Sequence, residues 1–289
     1  MKHSLRAARG RLFATRGDKF SEFVVLLAQL YRVFSLFNLL GRGNFAPLFS
    51  SLIEVMDYAI IAAGEGSRLA QEGVKCHKPL VQLNGTALID RLIGVFLKNN
   101  ATSVSIIVNE EMTDVQEHLK GMKLPVPFNL LVKSTPSSMH SFYELSRCLS
   151  GNEFCLTTVD TIFKEEEFGR YIQAFLSDTT IDGLMAVTDF VDDEKPLYVM
   201  TDNNLMIKGF LDKQSFPACT YISGGIYCLR RSGLKVLEDA MEQGVARMRN
   251  YQRRLVAEGL VLKAYPFSKI VDVDHAEDIK KAEAFLNNK

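Results

Sequence analysis

The chain has 289 residues, 47% of them apolar and 24% charged, with a formal net charge of zero. That is enough to bury one large core or a catalytic-sized domain with an appendage. A neutral balance excludes a broad basic face for nucleic acid, and the five cysteines (76, 148, 155, 219 and 228) lack any C-x-x-C spacing, so they read as the thiols of a cytoplasmic protein rather than a disulfide framework.

Charge is nonetheless uneven. Residues 1–55 carry eight Lys and Arg against three acidic residues, a net of +5, so the remainder carries −5. Within this segment residues 20–40, FSEFVVLLAQLYRVFSLFNLL, are apolar but interrupted by Glu22, Gln29, Arg32 and Asn38. A bilayer span would not place these there, and no A-x-A site follows to mark a signal peptide. The pattern fits an amphipathic helix resting on a membrane or on the catalytic domain. We read 1–55 as an N-terminal extension without a catalytic role, the alternative being a start at Met56, and 56–289 as the catalytic domain.

From Met56 the elements alternate. Strands are predicted at 58–63, 103–108, 128–133 and 153–158, with helices at 86–99, 111–121 and 140–149 between them and another at 165–177. The order βαβαβαβ predicts a mostly parallel sheet with right-handed crossovers. Beyond residue 183 the pattern shifts to short strands at 183–188, 197–201, 205–211, 223–229 and 261–266. An Asn203-Asn204 turn joins two of them, and helices are predicted at 232–243, 246–258 and 276–287.

The most informative stretch is residues 58–91, YAIIAAGEGSRLAQEGVKCHKPLVQLNGTALIDR. An apolar strand runs into Ala62-Ala63-Gly64-Glu65-Gly66-Ser67-Arg68. Glycines there let the backbone take unusual angles and let a ligand approach, and exposed N–H groups in such a bend cradle phosphate. Arg68 and Lys78 supply the cations that a polyphosphate needs. Two familiar alternatives fail. Leu69 stands where the dinucleotide fingerprint needs its third glycine, and the G-x-x-x-x-G-K-[ST] pattern is absent. Ligands in open α/β sheets sit beyond the carboxyl ends of the strands. Asp160, which ends the apolar run 154–159, is therefore placed to hold Mg²⁺.

The combined string A-A-G-x-G-x-R-L, K-P-L and Asn84-Gly85-x-x-Leu88-Ile89-Asp90-Arg91 resembles the N-terminal signature of nucleotidyltransferases with a GT-A-like fold, meaning sugar-1-phosphate nucleotidylyltransferases and their phosphocholine and inositol-phosphate relatives. The resemblance implies a three-layer Rossmann-like, mostly parallel mixed sheet flanked by helices. It implies Mg²⁺-dependent transfer of a nucleotidyl group to a phosphorylated acceptor, foremost a sugar-1-phosphate, with release of pyrophosphate. Residues Ala62 to Arg68 would hold the nucleotide, and Ser138 and Ser141, in a hydroxyl-rich string before a helix, would meet the base side. Asp160 and Asp272, with Asp274 as the alternative, would bind the metal. Asp212 and Lys213 resemble the family's F-x-E-K-P acceptor string, although Gln214 replaces the proline. Gly224 and Gly225 resemble its acceptor-side G-I-Y strand. His275-Ala276 replaces the usual Thr-Pro after the last acidic strand. A non-catalytic nucleotide-binding protein on the same fold is the competing reading. A glycosyltransferase would want D-x-D in mid-chain, and none stands near residue 160.

Overall fold

The computed structural model describes residues 56–191, 195–214 and 219–287, and the predicted extension 1–55 lies outside them. β1 (Met56–Ala62) is followed by the short α1 (Ser67–Gln71) and a single 3₁₀ turn at Lys78–Leu80. A hairpin of β2 (Gln82–Leu83) and β3 (Thr86–Ala87) leads into α2 (Leu88–Lys98). β4 (Ala101–Val108), α3 (Thr113–Lys120), β5 (Phe128–Val132), α4 (Ser138–Ser146) and β6 (Glu153–Thr158) complete the alternating half. Then come β7 (Thr161–Ile162), α5 (Glu165–Ser177), β8 (Gly183–Thr188), β9 (Tyr198–Thr201), β10 (Ile207–Leu211) and β11 (Tyr221–Arg230). The chain ends through α6 (Ser232–Glu242), α7 (Met248–Ala257), β12 (Leu262–Pro266), β13 (Val271–Asp272) and α8 (Ala276–Asn287).

The main sheet runs β10-β9-β11-β6-β1-β4-β5, with β8 pairing β11 and β12 pairing β8. β1 is central and parallel to β4 and β6. Helices cover both its faces, so it is buried along its whole length and reads as a continuous apolar run. Side chains alternate across it. Tyr58, Ile60 and Ala62 pack into one core layer with α2 and α5, while Ala59 and Ile61 join α4, α6 and α7 in the other. Tyr58 stacks on Phe96 with centroids 4.3 Å apart, and Phe163 on Phe168 at 4.9 Å. This is the expected three-layer α/β architecture. Among the described residues no helix is long and apolar enough to cross a membrane.

Several boundaries differ from the sequence reading, each for a local reason. β1 begins at Met56 rather than at residue 58, because Asp57 is fully served there. The Thr102 and Ser103 hydroxyls donate to Asp57 Oδ1 at 2.8 and 2.7 Å, and the Ser150 and Gly151 amides to Oδ2 at 2.9 and 2.8 Å. α2 begins at residue 88, not 86, because Thr86 and Ala87 pair with Leu83 and Gln82. Asn84 and Gly85 turn that hairpin with φ of 49° and 79°, the left-handed pair of a type I′ turn. α4 is displaced toward the N-terminus of its predicted span and starts at Ser138. β7, and the pairing of the last acidic strand β13 with it, were not anticipated. Each strand is two residues long, too short for any periodicity to register.

Candidate active site

Three segments meet at the carboxyl end of the parallel strands. The first is the loop after β1. Gly64, Glu65, Ser67 and Arg68 are exposed, while Gly66 adopts φ 61° and ψ 30° at the start of α1. A Cβ on Gly66 would stand 3.1 Å from Lys78 Cβ. Glycine is thus required there twice, for its backbone angle and for the close passage of the K-P-L turn beneath the loop. Ala62 is buried at the strand end and Ala63 half-buried beyond it.

The second segment is the end of β6. Asp160 lies two residues past Thr158 and is followed by β7, which pairs antiparallel with β13 so that Asp272 stands opposite Thr161. Val273 N also donates to the Asp160 carbonyl at 3.1 Å. This small pairing brings Asp160 and Asp272 to one place although 111 positions separate them (272 against 160, less one). The Thr158 and Thr161 hydroxyls lie 2.8 Å apart. Thr158 stands beside Asp160 and Thr161 beside Asp272, where each hydroxyl favours the charged carboxylate.

The third segment is the turn into α8. Asp278 Oδ2 accepts from the Asp274 and His275 amides at 3.2 and 2.8 Å, and Glu72 Oε2 accepts from Ala276 N at 2.6 Å. Glu72 Oε1 also pairs with His275 Nδ1 at 2.6 Å. Here His275-Ala276 replaces a Thr-Pro start, and acidic side chains from both sides take over the capping of the free amides.

Lys78 joins the three segments. Its Nζ donates to Asp160 Oδ2 at 2.5 Å and to Asp274 Oδ1 at 2.6 Å, with only 9% of the lysine side chain exposed. Arg68 Nη1 reaches Asp274 Oδ2 at 3.2 Å from a side chain that is 52% exposed. Burial works against the Lys78 ammonium, but Asp160 and then Asp274 outweigh it and hold its pKa above the ordinary lysine value. Burial likewise opposes the Asp160 carboxylate, and Lys78 together with Thr158 overcomes it and keeps that pKa low. Asp272 behaves in the opposite way. Burial among protein atoms and then the Asp160 and Asp274 charges push its pKa up to about 8. Asp272 has solvent access through the cleft, which softens the burial contribution. The repulsion from the Asp160 and Asp274 carboxylates survives that access.

Asp160, Asp272 and Asp274 are oxygen donors of the kind a hard divalent cation takes, and such an ion needs only one or two carboxylates beside phosphate and water. Among the described residues no group of three or more His, Cys, Asp or Glu is arranged to hold a metal ion. The fit therefore rests on an open site of this kind. Beside the acids lies a cleft of about 460 Å³ whose lining includes Arg68, Thr188, Phe190, Gly224, Asp272 and Asp274.

The remaining predicted residues fall as follows. Gly224 lines the cleft, and a Cβ there would overlap Ile270 Cδ1 at 2.2 Å. Gly225 has φ 74° and packs against Thr161. The glycine pair thus lets β11 close against the acid-bearing segment. Ser138 is half-buried in the first turn of α4. Ser141 is buried, with its hydroxyl 2.6 Å from that of Thr135. Asp212 pairs with Arg249 and Arg253 of α7 at 2.6 and 2.8 Å, and neither it nor Lys213 lines the cleft. Sequence reasoning missed Thr158, Thr161, Glu72 and Asp278. Only Asp278 carried a signal, as an acid in the first turn after a strand-ending aspartate.

The nucleotidyl transferase family model matches residues 58–289. The chain belongs to the nucleotidyl transferase family. Over 250 residues it is 22% identical to the bifunctional protein GlmU of Thermodesulfovibrio yellowstonii, an alignment covering 81% of this chain and 53% of that protein. It is 21% identical over 252 residues to the bifunctional IPC transferase and DIPP synthase of Archaeoglobus fulgidus, covering 84% of this chain and 46% of the relative. The chain thus spans about half the length of these curated relatives. Among solved structures it resembles the inositol-1-phosphate CTP transferase from T. maritima, with a TM-score of 0.66 and 18% identity over 80% of this chain and 98% of that one. That likeness bears on the fold. Nucleotidyltransferases of this kind are enzymes that generally use a divalent metal.

Proposed function

We propose that this nucleotidyltransferase joins a nucleoside triphosphate to a phosphorylated small acceptor, foremost a sugar-1-phosphate, with Mg²⁺ as its metal and pyrophosphate as the leaving group. The observation that carries the reading is the convergence of Lys78, at 2.5 Å from Asp160 and 2.6 Å from Asp274, with Arg68 at the mouth of the glycine loop. Loop cations and strand-end acids that the sequence keeps far apart meet at the end of the sheet where such folds bind ligands.

In this reading the backbone of Gly64 to Ser67 holds the β- and γ-phosphates, and Arg68 neutralises charge on the departing pyrophosphate. Lys78 turns to the α-phosphate. Asp160 and Asp272 would hold the Mg²⁺, with Thr158 and Thr161 orienting their carboxylates. The ion supplies Lewis-acid neutralisation of the α-phosphate when bound. The acceptor enters the cleft between Gly224, Phe190 and Asp272, and its phosphate oxygen attacks the α-phosphorus in line. The P–O bond to the β-phosphate breaks, and pyrophosphate carries away the electron pair. The second ionisation of a phosphate monoester lies near pH 6, so the acceptor arrives ionised and no protein base is needed. Catalysis then rests on position and fixed charge.

A pyrophosphate-release screen tests this. Four nucleoside triphosphates are paired with sugar-1-phosphates, phosphocholine and inositol phosphate in the presence of Mg²⁺. One or a few pairs should release pyrophosphate, dependent on both substrates. Release with no pair would favour a protein that binds nucleotide without turning it over.

A further inference from the structure

The two oxygens of Asp274 are divided between two cations. Oδ1 accepts from Lys78 Nζ at 2.6 Å, and Oδ2 from Arg68 Nη1 at 3.2 Å. These are the cations that the proposed function assigns to the triphosphate, and the present inference rests on that reading. Carboxylate and phosphate are recognised by the same donors, because both present paired anionic oxygens to ammonium and guanidinium groups. The Asp274 carboxylate is also held in position. Its own amide and that of His275 bind Asp278, and Ala276 N binds Glu72 at 2.6 Å, so the turn that carries Asp274 is fixed from two sides. Asp272 shares the strand end but stands opposite Thr161 in the β7–β13 pairing. Asp160 holds Lys78 from the opposite side at 2.5 Å and can keep it in the site if Asp274 lets go. Arg68 is half exposed at the mouth of the loop.

We infer that Asp274 is an internal stand-in for phosphate, holding Arg68 and Lys78 in place until a polyphosphate displaces it. The contact is autoinhibitory in the thermodynamic sense. Every polyphosphate that binds must first break two charge-assisted hydrogen bonds, and the affinity of the loop is lowered by that exchange. The same contact keeps two long cationic side chains ordered beside the loop, which lessens what binding must later freeze. This gives Asp274 a role distinct from that of Asp272, which would remain with the metal.

Titration calorimetry of the full chain with inorganic pyrophosphate, in EDTA so that no divalent ion contributes, tests the inference. Asp274→Asn should bind pyrophosphate about five- to tenfold more tightly than the wild type, the scale expected from releasing two partly exposed charge-assisted contacts. With every titration run at pH 9, above the raised Asp272 pKa, Asp272→Asn removes the same charge nearby without touching these contacts and should change affinity less than about twofold. In an Arg68→Ala background the gain from Asp274→Asn should shrink, since one of the two released cations is gone. Asp274→Ser, with a small polar group on the same backbone, should repeat the gain. Unchanged or weaker binding by both Asp274 variants would overturn the inference. So would equal gains from Asp272→Asn and Asp274→Asn, which would reveal a through-space charge effect. If wild type and all variants fail to bind pyrophosphate, the polyphosphate reading itself falls, and this inference with it. If the wild type binds and the Asp274 variants gain nothing, only this inference falls.

Discussion

The two halves of the sheet reach the same cleft by different means. From β1 to β6 the parallel strands alternate with helices, and β1, β4 and β5 lie side by side in chain order with β6 on the other side of β1. The loop cations and Asp160 project from the ends of these units. From β8 onward the pairing is long-range. β12 joins β8, β11 spans β6, β8 and β9, and β13 reaches back to β7. Asp160 owes its place to the strand that it ends, whereas Asp272 owes its place to a two-residue pairing and to a glycine on a third strand. The comparison teaches that one of the two carboxylates proposed to hold the metal is built locally and the other is assembled by tertiary structure. Their substitutions should therefore fail in different ways.

The largest effect should come from Asp160→Asn. It removes the charge proposed to bind the metal and a Lys78 partner at the end of a well-supported strand. Pyrophosphate release at saturating Mg²⁺ should fall at least about a thousandfold while circular dichroism stays native. Near-normal turnover would sink the assignment of Asp160 to the metal. Asp272→Asn should lose a comparable amount, and Thr161→Val, which leaves the carboxylate but removes the hydroxyl that orients it, about tenfold. If Asp274→Asn instead proves the more damaging of the two aspartate variants at saturating Mg²⁺, the division of labour between them is wrong.

The two cations sharpen the comparison further. Lys78 is buried between carboxylates, so Lys78→Met should lower both kcat/KM and thermal stability. Losing one partner of a buried pair costs about 3–5 kcal/mol at full burial, and the partial exposure of Asp160 and Asp274 reduces that to about 1–3 kcal/mol. Arg68 is half exposed, so Arg68→Ala should lower kcat/KM by about ten- to a hundredfold with the melting temperature almost unchanged. Equal stability losses in both variants would show that Arg68 is structural. The smallest effect on chemistry per folded molecule should come from Gly224→Ala. The added methyl meets Ile270 at 2.2 Å, a clash worth about 1–3 kcal/mol of stability. It should raise KM for the acceptor more than it lowers kcat, since it disturbs the cleft wall before it disturbs Asp160.

The same division explains what the sequence disclosed. Arg68, Lys78 and Asp160 could be singled out as candidates because each sits in a local pattern: the glycine-rich bend, the K-P-L turn and a strand end. Asp272 and Asp274 could be named as a pair, but their roles could not be separated, because the distinction lies in partners more than 100 positions away: Thr161 for one, Lys78 and Arg68 for the other. Asp212 and Lys213 were matched to an acceptor string. In the fold Asp212 is engaged by Arg249 and Arg253, two arginines of α7 whose approach no local spacing encodes. Lys78 was expected to matter for phosphate alone. Its burial and double pairing, which predict a stability role as well, follow from tertiary contacts with β6 and the turn before α8.

The central claim, transfer of a nucleotidyl group between phosphates, is tested most directly by ³¹P NMR of one productive substrate pair in the presence of Mg²⁺. The account predicts that the resonances of the triphosphate and the acceptor monophosphate decline together. Inorganic pyrophosphate should rise in equal amount with a new pair of coupled diphosphate resonances, and neither should appear with Asp160→Asn. Appearance of inorganic phosphate alone, or triphosphate breakdown independent of the acceptor, would contradict it.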